Sequence, residues 1–182
     1  PSVLPEQARI FRGWGRTPLS MMAGIDESFG GVFFTGYHSA AEMDTNPLSH
    51  TMNTQNNFVK LNDELCPELM INSLIASYYR VPVYLLTGDK GLCDWMNAHC
   101  PGTVTVPVNE GRGAGCISIH PSVAVERIHI AARECLGRGR EECLFPMPSS
   151  FKAEISFKEH FKAEGAKWYP GCLKTGARTV RY

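Results

Sequence analysis

Residues 67–89 read PELMINSLIASYYRVPVYLLTGD, and the order of apolar residues here indicates the architecture of the chain. Pro67 can begin a helix, and the apolar residues that follow through Tyr79 leave little polar face, which predicts a buried helix. Shortly afterwards, Val81–Leu86 is apolar at nearly every position, as is typical of a strand that is covered on both faces of a parallel sheet. The predicted strand ends at Thr87-Gly88-Asp89. A buried helix that leads directly into a buried strand predicts α/β architecture.

Upstream of this stretch, an apolar strand over residues 31–36 leads into a polar loop with two histidines. His38 follows the strand, and His50 closes a loop that is rich in Asp, Asn and Pro. Glu68 lies at the start of the buried helix. Because ligands bind beyond the carboxyl ends of the strands in such folds, we interpret His38, His50 and Glu68 as one site. An imidazole in such a cleft can ligate a metal or move a proton.

The rest of the chain continues the alternation of helices and strands. In chain order the sequence predicts a helix that starts at Thr17-Pro18, an edge strand or hairpin arm at 57–62, a helix at 91–99, strands at 103–108 and 115–119, a helix from Pro121, a linker at 141–149, a strand at 152–157, a short helix at 160–168 and a last strand at 177–182. We therefore predict an α/β fold, with a mostly parallel sheet flanked by helices and a smaller β-α-β C-terminal portion. The predicted division is an α/β core at 1–140 and the β-α-β portion at 141–182.

Size and composition indicate an ordinary globular protein. The chain has 182 residues, of which 43% are hydrophobic, and its 18 basic side chains balance its 18 acidic ones. This balance provides neither a basic surface for nucleic acid nor a polybasic membrane patch. The apolar runs are too short to span a bilayer, and no signal peptide is visible. We expect no nucleic-acid or membrane partner.

The seven cysteines are scattered singly, without a C-x-x-C pair. This spacing indicates neither a zinc ribbon nor a thioredoxin-type site. Most of them fall within apolar patterns, where a free thiol packs as a small hydrophobic group. A catalytic cysteine stays open as the less common alternative. The pattern predicts a protein of the reducing cytoplasm.

Each candidate site residue also has a purely structural interpretation. His38 could hydrogen-bond to backbone, His50 could be an exposed loop residue, and Glu68 could interact with the positive end of a helix dipole. Asp89 could orient a ligand histidine or cap the next helix. The glycine-rich loop at 111–115 lacks a Walker lysine and precedes no helix, so we expect no phosphate site there. Three other histidines have no partner pattern and are expected to be ordinary residues: His99, His129 and His160. His120, which precedes Pro121, is expected at the start of a helix.

Four motifs follow one another in an order that is more specific than any one of them. They are Gly36-Tyr37-His38, Leu48-Ser49-His50-Thr51, Glu68-Leu69-Met70-Ile71-Asn72, and Val81-Pro82-Val83 with Thr87-Gly88-Asp89. In this order they resemble the binuclear zinc D-aminopeptidases of the DppA type, and the resemblance covers nearly the whole chain.

The resemblance implies a specific chemistry. In such enzymes two zinc ions share a carboxylate-bridged site, and a water activated by zinc attacks the peptide carbonyl. The substrates are short peptides with an N-terminal D-amino acid, of which D-Ala-D-Ala is the type case. By the resemblance, His38 and Glu68 are zinc ligands and His50 is the catalytic histidine. The resemblance also implies a homo-oligomer, a homodecameric ring that encloses a chamber.

The sequence departs from that pattern in ways that leave alternatives. The family's Asp-x-Glu on a first strand, a further histidine and a C-terminal helix have no match here, so we expect the chain to be part of a longer polypeptide. Asn109 in place of a usual lysine, and Glu42-Met43-Asp44 in the site loop, bear on substrate preference. One alternative is a non-catalytic dipeptide-binding or assembly subunit without the metals, and another is a different metallohydrolase on a similar scaffold.

Overall fold

The computed structural model of the protein describes residues 3–13 and 15–182. Its strands and helices are, in chain order, β1 (Val32–Tyr37), β2 (Asn56–Leu61), β3 (Glu64–Leu65), α1 (Glu68–Tyr78), β4 (Val83–Asp89), α2 (Lys90–His99), β5 (Val104–Arg112), β6 (Gly115–Ser118), α3 (Pro121–Glu134), β7 (Ala153–Phe157), α4 (His160–Ala166), β8 (Leu173–Lys174) and β9 (Thr179–Arg181). Short 3-10 helices lie at Ser20–Met22, Cys135–Gly137 and Glu141–Cys143.

A four-stranded sheet in the order β1-β4-β5-β6 carries the candidate site. β4 lies between β1 and β5 and is parallel to both, whereas β6 returns from β5 as an antiparallel hairpin. The predicted α/β fold, a mostly parallel sheet flanked by helices, is confirmed. The glycine-rich stretch at 111–115 spans the paired ends of β5 and β6 and the two-residue turn between them at 113–114.

Helices cover both faces of this sheet, as the apolar sequence of β4 predicts. Successive residues of a strand point to opposite faces, so Leu85 and Leu86 belong to different hydrophobic clusters. Leu86 packs in the cluster that contains Leu69 of α1 and Met96 of α2. Leu85 packs in the cluster that contains Ala131 of α3. Burial of this apolar surface is the main favourable contribution to folding.

A second, antiparallel sheet has the order β3-β2-β7-β9-β8. β2 and β3 form a hairpin, and β2 pairs on its other side with β7. The strand predicted at 57–62 is therefore a hairpin arm with neighbours on both sides. This sheet takes strands from both sides of residue 140, and the division at that residue stays a prediction.

The predicted helix at Thr17-Pro18 is wrong. The structure has only the 3-10 helix Ser20–Met22 there. Ser20 has a φ of +50° and Gly24 a φ of +93°. Residues with left-handed backbone cannot continue a right-handed α-helix, so no longer helix forms here. The apolar side chain of Met22 packs instead against the hydrophobic cluster that contains residues of α1.

Two of the composition-based expectations can be compared with the structure. The cysteines are free thiols; Cys116 is exposed, Cys172 is half-buried and the other five are buried. Among residues 3–13 and 15–182, no helix has the length and apolar character that a membrane span requires.

Candidate metal centre

The first element of the site is the carboxyl end of β1, beside the carboxyl end of β4. The pairing of β1 with β4 shifts between Phe34 and Tyr37, and Gly36 in this irregular stretch has a φ of +71°. The Gly36 N–H donates to Thr87 Oγ1 of β4 at 3.1 Å. A glycine accepts this left-handed conformation without strain, and the bend directs the chain into the loop that begins at His38.

His38 presents one defined nitrogen to the cleft. Its Nδ1 lies 3.1 Å from the carbonyl oxygen of Ser39. Because a carbonyl can only accept a hydrogen bond, Nδ1 carries the hydrogen, and the lone pair of a neutral ring is then on Nε2. A ring oriented in this way by a backbone carbonyl is the usual arrangement of a metal-ligating histidine.

His50 repeats the same arrangement from the far end of the loop. Its Nδ1 lies 2.6 Å from the carbonyl oxygen of Leu48, which again leaves Nε2 free. The His38 and His50 rings stack with their centroids 4.2 Å apart. Next to His50, the buried Thr51 donates from Oγ1 to the carbonyl of Cys66 at 2.9 Å, which fixes the loop to the residues before α1.

Glu68 is the first residue of α1. Its Oε1 accepts the Met52 N–H at 2.8 Å and lies 3.8 Å from His50 Nε2. The carboxylate is thus held at the helix N-terminus, where the helix dipole favours negative charge, and it also faces the two imidazoles. The structural and the functional interpretations of this residue are compatible.

The three predicted site residues therefore come together. One potential ligand atom from each of His38, His50 and Glu68 lies within 4.8 Å of the others, and all three residues are half-buried. Two imidazoles and one carboxylate are a donor set that catalytic zinc sites use, with three protein ligands and one open position. These residues fit a zinc ion; the separate roles predicted for them stay predictions.

Asp89 lies beside this cluster and does not touch the histidine rings in any described contact. Its fully buried carboxylate caps α2 by accepting the Leu92 N–H at 2.9 Å. It also accepts two hydrogen bonds from Ser39 and one from Asn46. The predicted capping role is observed, and the contact with the site loop is made through Ser39, the neighbour of His38.

Sequence reasoning missed Tyr37 and Asn72 as neighbours of the site. The Asn72 side chain donates to the Tyr37 hydroxyl at 2.9 Å. Burial of the phenol raises the pKa of Tyr37, and the nearby Glu68 carboxylate raises it further, against the lowering effect of the Asn72 hydrogen bond. Asn72 lies one turn after Glu68 on α1, and this spacing is the only sequence indication that the two share a face.

The other features considered from sequence lie outside the cluster. His99 Nε2 lies 2.6 Å from Glu64 Oε1 and the ring stacks on Trp95. His120 accepts the Ser122 N–H and caps α3. A concavity of about 820 Å³ is lined mainly by residues 9–29 and reaches Val32, at the end of β1 opposite to His38.

Comparison with known proteins identifies the class. The profile of peptidase family M55, described as D-aminopeptidase, matches residues 1–182, and the chain belongs to this family. The D-aminopeptidase of Bacillus subtilis (strain 168) is 27% identical over 168 residues, which are 91% of this chain and 61% of that protein.

A solved structure agrees with this assignment. It is described as the Zn-dependent D-aminopeptidase DppA from Bacillus subtilis, a self-compartmentalizing protease, and it matches with a TM-score of 0.86 and 27% identity. The match covers 100% of this chain and 66% of that chain. This chain thus spans 61% of the curated relative and 66% of the solved structure.

Proposed function

We propose that this chain belongs to a zinc-dependent aminopeptidase that hydrolyses short peptides with an N-terminal D-amino acid, of the D-Ala-D-Ala type. The observation that carries the proposal is the convergence of His38, His50 and Glu68, whose ligand atoms lie within 4.8 Å of one another. Membership of the D-aminopeptidase family and the Zn-dependent structural relative support it.

His38 and Glu68 are the proposed metal ligands, and His50 is the proposed catalytic residue. A bound zinc ion supplies Lewis-acid activation of water and of the scissile carbonyl. The free Nε2 of His50, 3.8 Å from Glu68 Oε1, is available to move a proton or to stabilise developing charge. The same distance also allows His50 to act as a third ligand, and the experiment below separates the two roles.

The proposal also covers the number of zinc ions, the oligomeric state and the cellular location. Two zinc ions per subunit need ligands beyond His38 and Glu68, because a catalytic zinc takes about three protein ligands. The solved relative is described as self-compartmentalizing, which supports a homo-oligomer, and we propose a decameric ring. The seven free thiols support a reducing, cytoplasmic location.

Hydrolysis of D-Ala-D-Ala by the full-length protein tests this function. We expect zinc-dependent activity that a chelator removes and added zinc restores. His38→Ala and Glu68→Gln should lose both zinc and activity. His50→Ala should retain zinc and lose about 10²- to 10⁴-fold in kcat if its role is acid–base catalysis, whereas loss of zinc from this variant would make it a ligand.

The matched control is His129→Ala, since His129 is exposed on α3 and lies outside the cluster. Activity that survives the His38 and His50 substitutions unchanged would contradict the assignment. Preferential hydrolysis of L-peptides or phosphoesters over D-peptides would indicate a different metallohydrolase. Binding of dipeptides without zinc and without turnover would support the non-catalytic alternative.

A further inference from the structure

Asp89 is a buried carboxylate whose four hydrogen bonds come mostly from the loop that follows His38. Its Oδ1 accepts Ser39 Oγ at 2.6 Å and the Leu92 N–H at 2.9 Å. Its Oδ2 accepts the Ser39 N–H at 2.6 Å and Asn46 Nδ2 at 3.1 Å. Only the Leu92 contact serves the cap of α2. The other three contacts serve the loop.

These contacts attach the loop to Asp89 at two residues, Ser39 and Asn46. Ser39 is fully buried and directly follows His38, and its N–H and Oγ both donate to Asp89. Six residues later, Thr45 Oγ1 donates to Ser39 Oγ at 2.7 Å. The carbonyl that orients the His38 ring belongs to Ser39 itself. The position of the His38 ring therefore depends on where Asp89 holds Ser39.

We propose that Asp89 is a positioning residue for the metal centre, which it serves by fixing Ser39 and thereby the orientation of His38. The inference rests on the proposed function. A carboxylate is needed because it offers acceptors on both oxygens and no donor. An N-cap alone needs a single acceptor, so capping of α2 does not account for the other three bonds.

Asp89→Asn separates the two explanations. The amide keeps one acceptor oxygen and replaces the other with an NH₂ donor. An amide whose oxygen keeps the Leu92 cap sets its NH₂ group against the Ser39 N–H, and the opposite orientation sets it against the Leu92 N–H, so one backbone donor loses its acceptor in either case. We expect the zinc dissociation constant to rise about 10- to 100-fold, as it does when groups that orient metal ligands are changed.

Ser39→Ala is the second variant. It removes the Oγ bond and leaves the cap of α2 in place, so it tests the loop contact without the helix. We expect a smaller rise in the zinc dissociation constant. If Asp89 acts through Ser39, the double variant should bind zinc no more weakly than Asp89→Asn, because the two changes interrupt one path.

The measurement is competition of the metal-free full-length protein with a chromophoric chelator for zinc. His120→Ala is the control, since it removes the side-chain cap of α3 away from the site and should leave the zinc dissociation constant unchanged. Unchanged affinity in folded Asp89→Asn, or in Ser39→Ala if Asp89→Asn does not fold, overturns this inference alone. If the unsubstituted protein does not bind zinc, the proposed function and this inference both fail.

Discussion

At the scale of single residues, backbone carbonyl groups select which imidazole nitrogen faces the cleft. The carbonyls of Ser39 and Leu48 each engage the Nδ1 of the neighbouring histidine, at 3.1 and 2.6 Å. Both Nε2 atoms are thereby left for a ligand. The loop conformation therefore leaves one nitrogen of each histidine available to bind a metal.

A single glycine allows this loop to lie close to β5. The Gly111 N–H donates to the Thr45 carbonyl at 3.0 Å, and a Cβ at Gly111 would lie 2.4 Å from that oxygen. We expect Gly111→Ala to displace the loop, to lower the free energy of unfolding by about 1 to 3 kcal/mol, as overpacking does, and to reduce the proposed peptidase activity.

Urea unfolding and D-Ala-D-Ala hydrolysis measure these two effects. Gly137→Ala is the matched control, because a Cβ there meets no atom within 4 Å. Equal behaviour of the two variants would show that the close approach of Thr45 to β5 is not needed.

At the scale of elements, the helices that were predicted from long apolar patterns are observed, and the short N-terminal one is not. α1 spans Glu68–Tyr78, within the predicted limits of Pro67 and Tyr79. Residues 17–25 have apolar spacing too, but Ser20 and Gly24 adopt left-handed backbone. Apolar spacing indicates which side of a segment is buried. It does not indicate the backbone conformation, which tertiary contacts select.

The packing of α2 against the sheet predicts a pH dependence. The pKa of the Cys93 thiol on α2 is raised from 9.0 to about 12, mainly by burial and in addition by the nearby carboxylates of Asp89 and Asp94. Above pH 9 the unfolded state releases this proton while the folded state retains it, so stability falls as pH rises from 9 towards 12. Below pH 9 the thiol contributes no pH dependence.

We expect Cys93 to account for a loss of about 1 to 2 kcal/mol between pH 7 and pH 10.5, given about 1.4 kcal/mol per pKa unit. Denaturant unfolding at both pH values, in the parent and in Cys93→Ala, measures this contribution as the difference in pH dependence. Other groups titrate equally in both proteins. An identical pH dependence in the two would contradict the burial of this thiol.

At the scale of the whole molecule, the second sheet joins distant parts of the chain. β2 pairs with β7 from Asn56↔Phe157 to Leu61↔Ala153. Loss of β7 would leave β2 with an unpaired edge. Because each part completes the sheet of the other, we expect residues 1–140 and 141–182 to unfold together.

Unfolding followed by the fluorescence of Trp95 and by that of Trp168 tests this expectation, with the other tryptophans replaced by Phe in each case. Trp95 lies on α2 and Trp168 follows α4, so the two report on different parts of the chain. Coincident transitions would support one cooperative unit. Two separate transitions would support the predicted division at residue 140.

Local sequence patterns alone are enough to predict the class of fold and the residues of the candidate site. The apolar pattern of residues 67–86 predicts α1 and β4. The positions of His38, His50 and Glu68 at or near the ends of elements predict a cleft. Both signals are local in the sequence. The order of motifs also led to the correct family.

The contacts between these residues, in contrast, depend on how distant parts of the chain pack together. Asp89 and Ser39 are 50 positions apart and bond because β1 and β4 are parallel neighbours in one particular register. Likewise, Gly111 reaches Thr45 only where β5 passes the loop. Such contacts depend on how strands that are distant in sequence pair with one another, and the packing of the whole sheet selects that pairing.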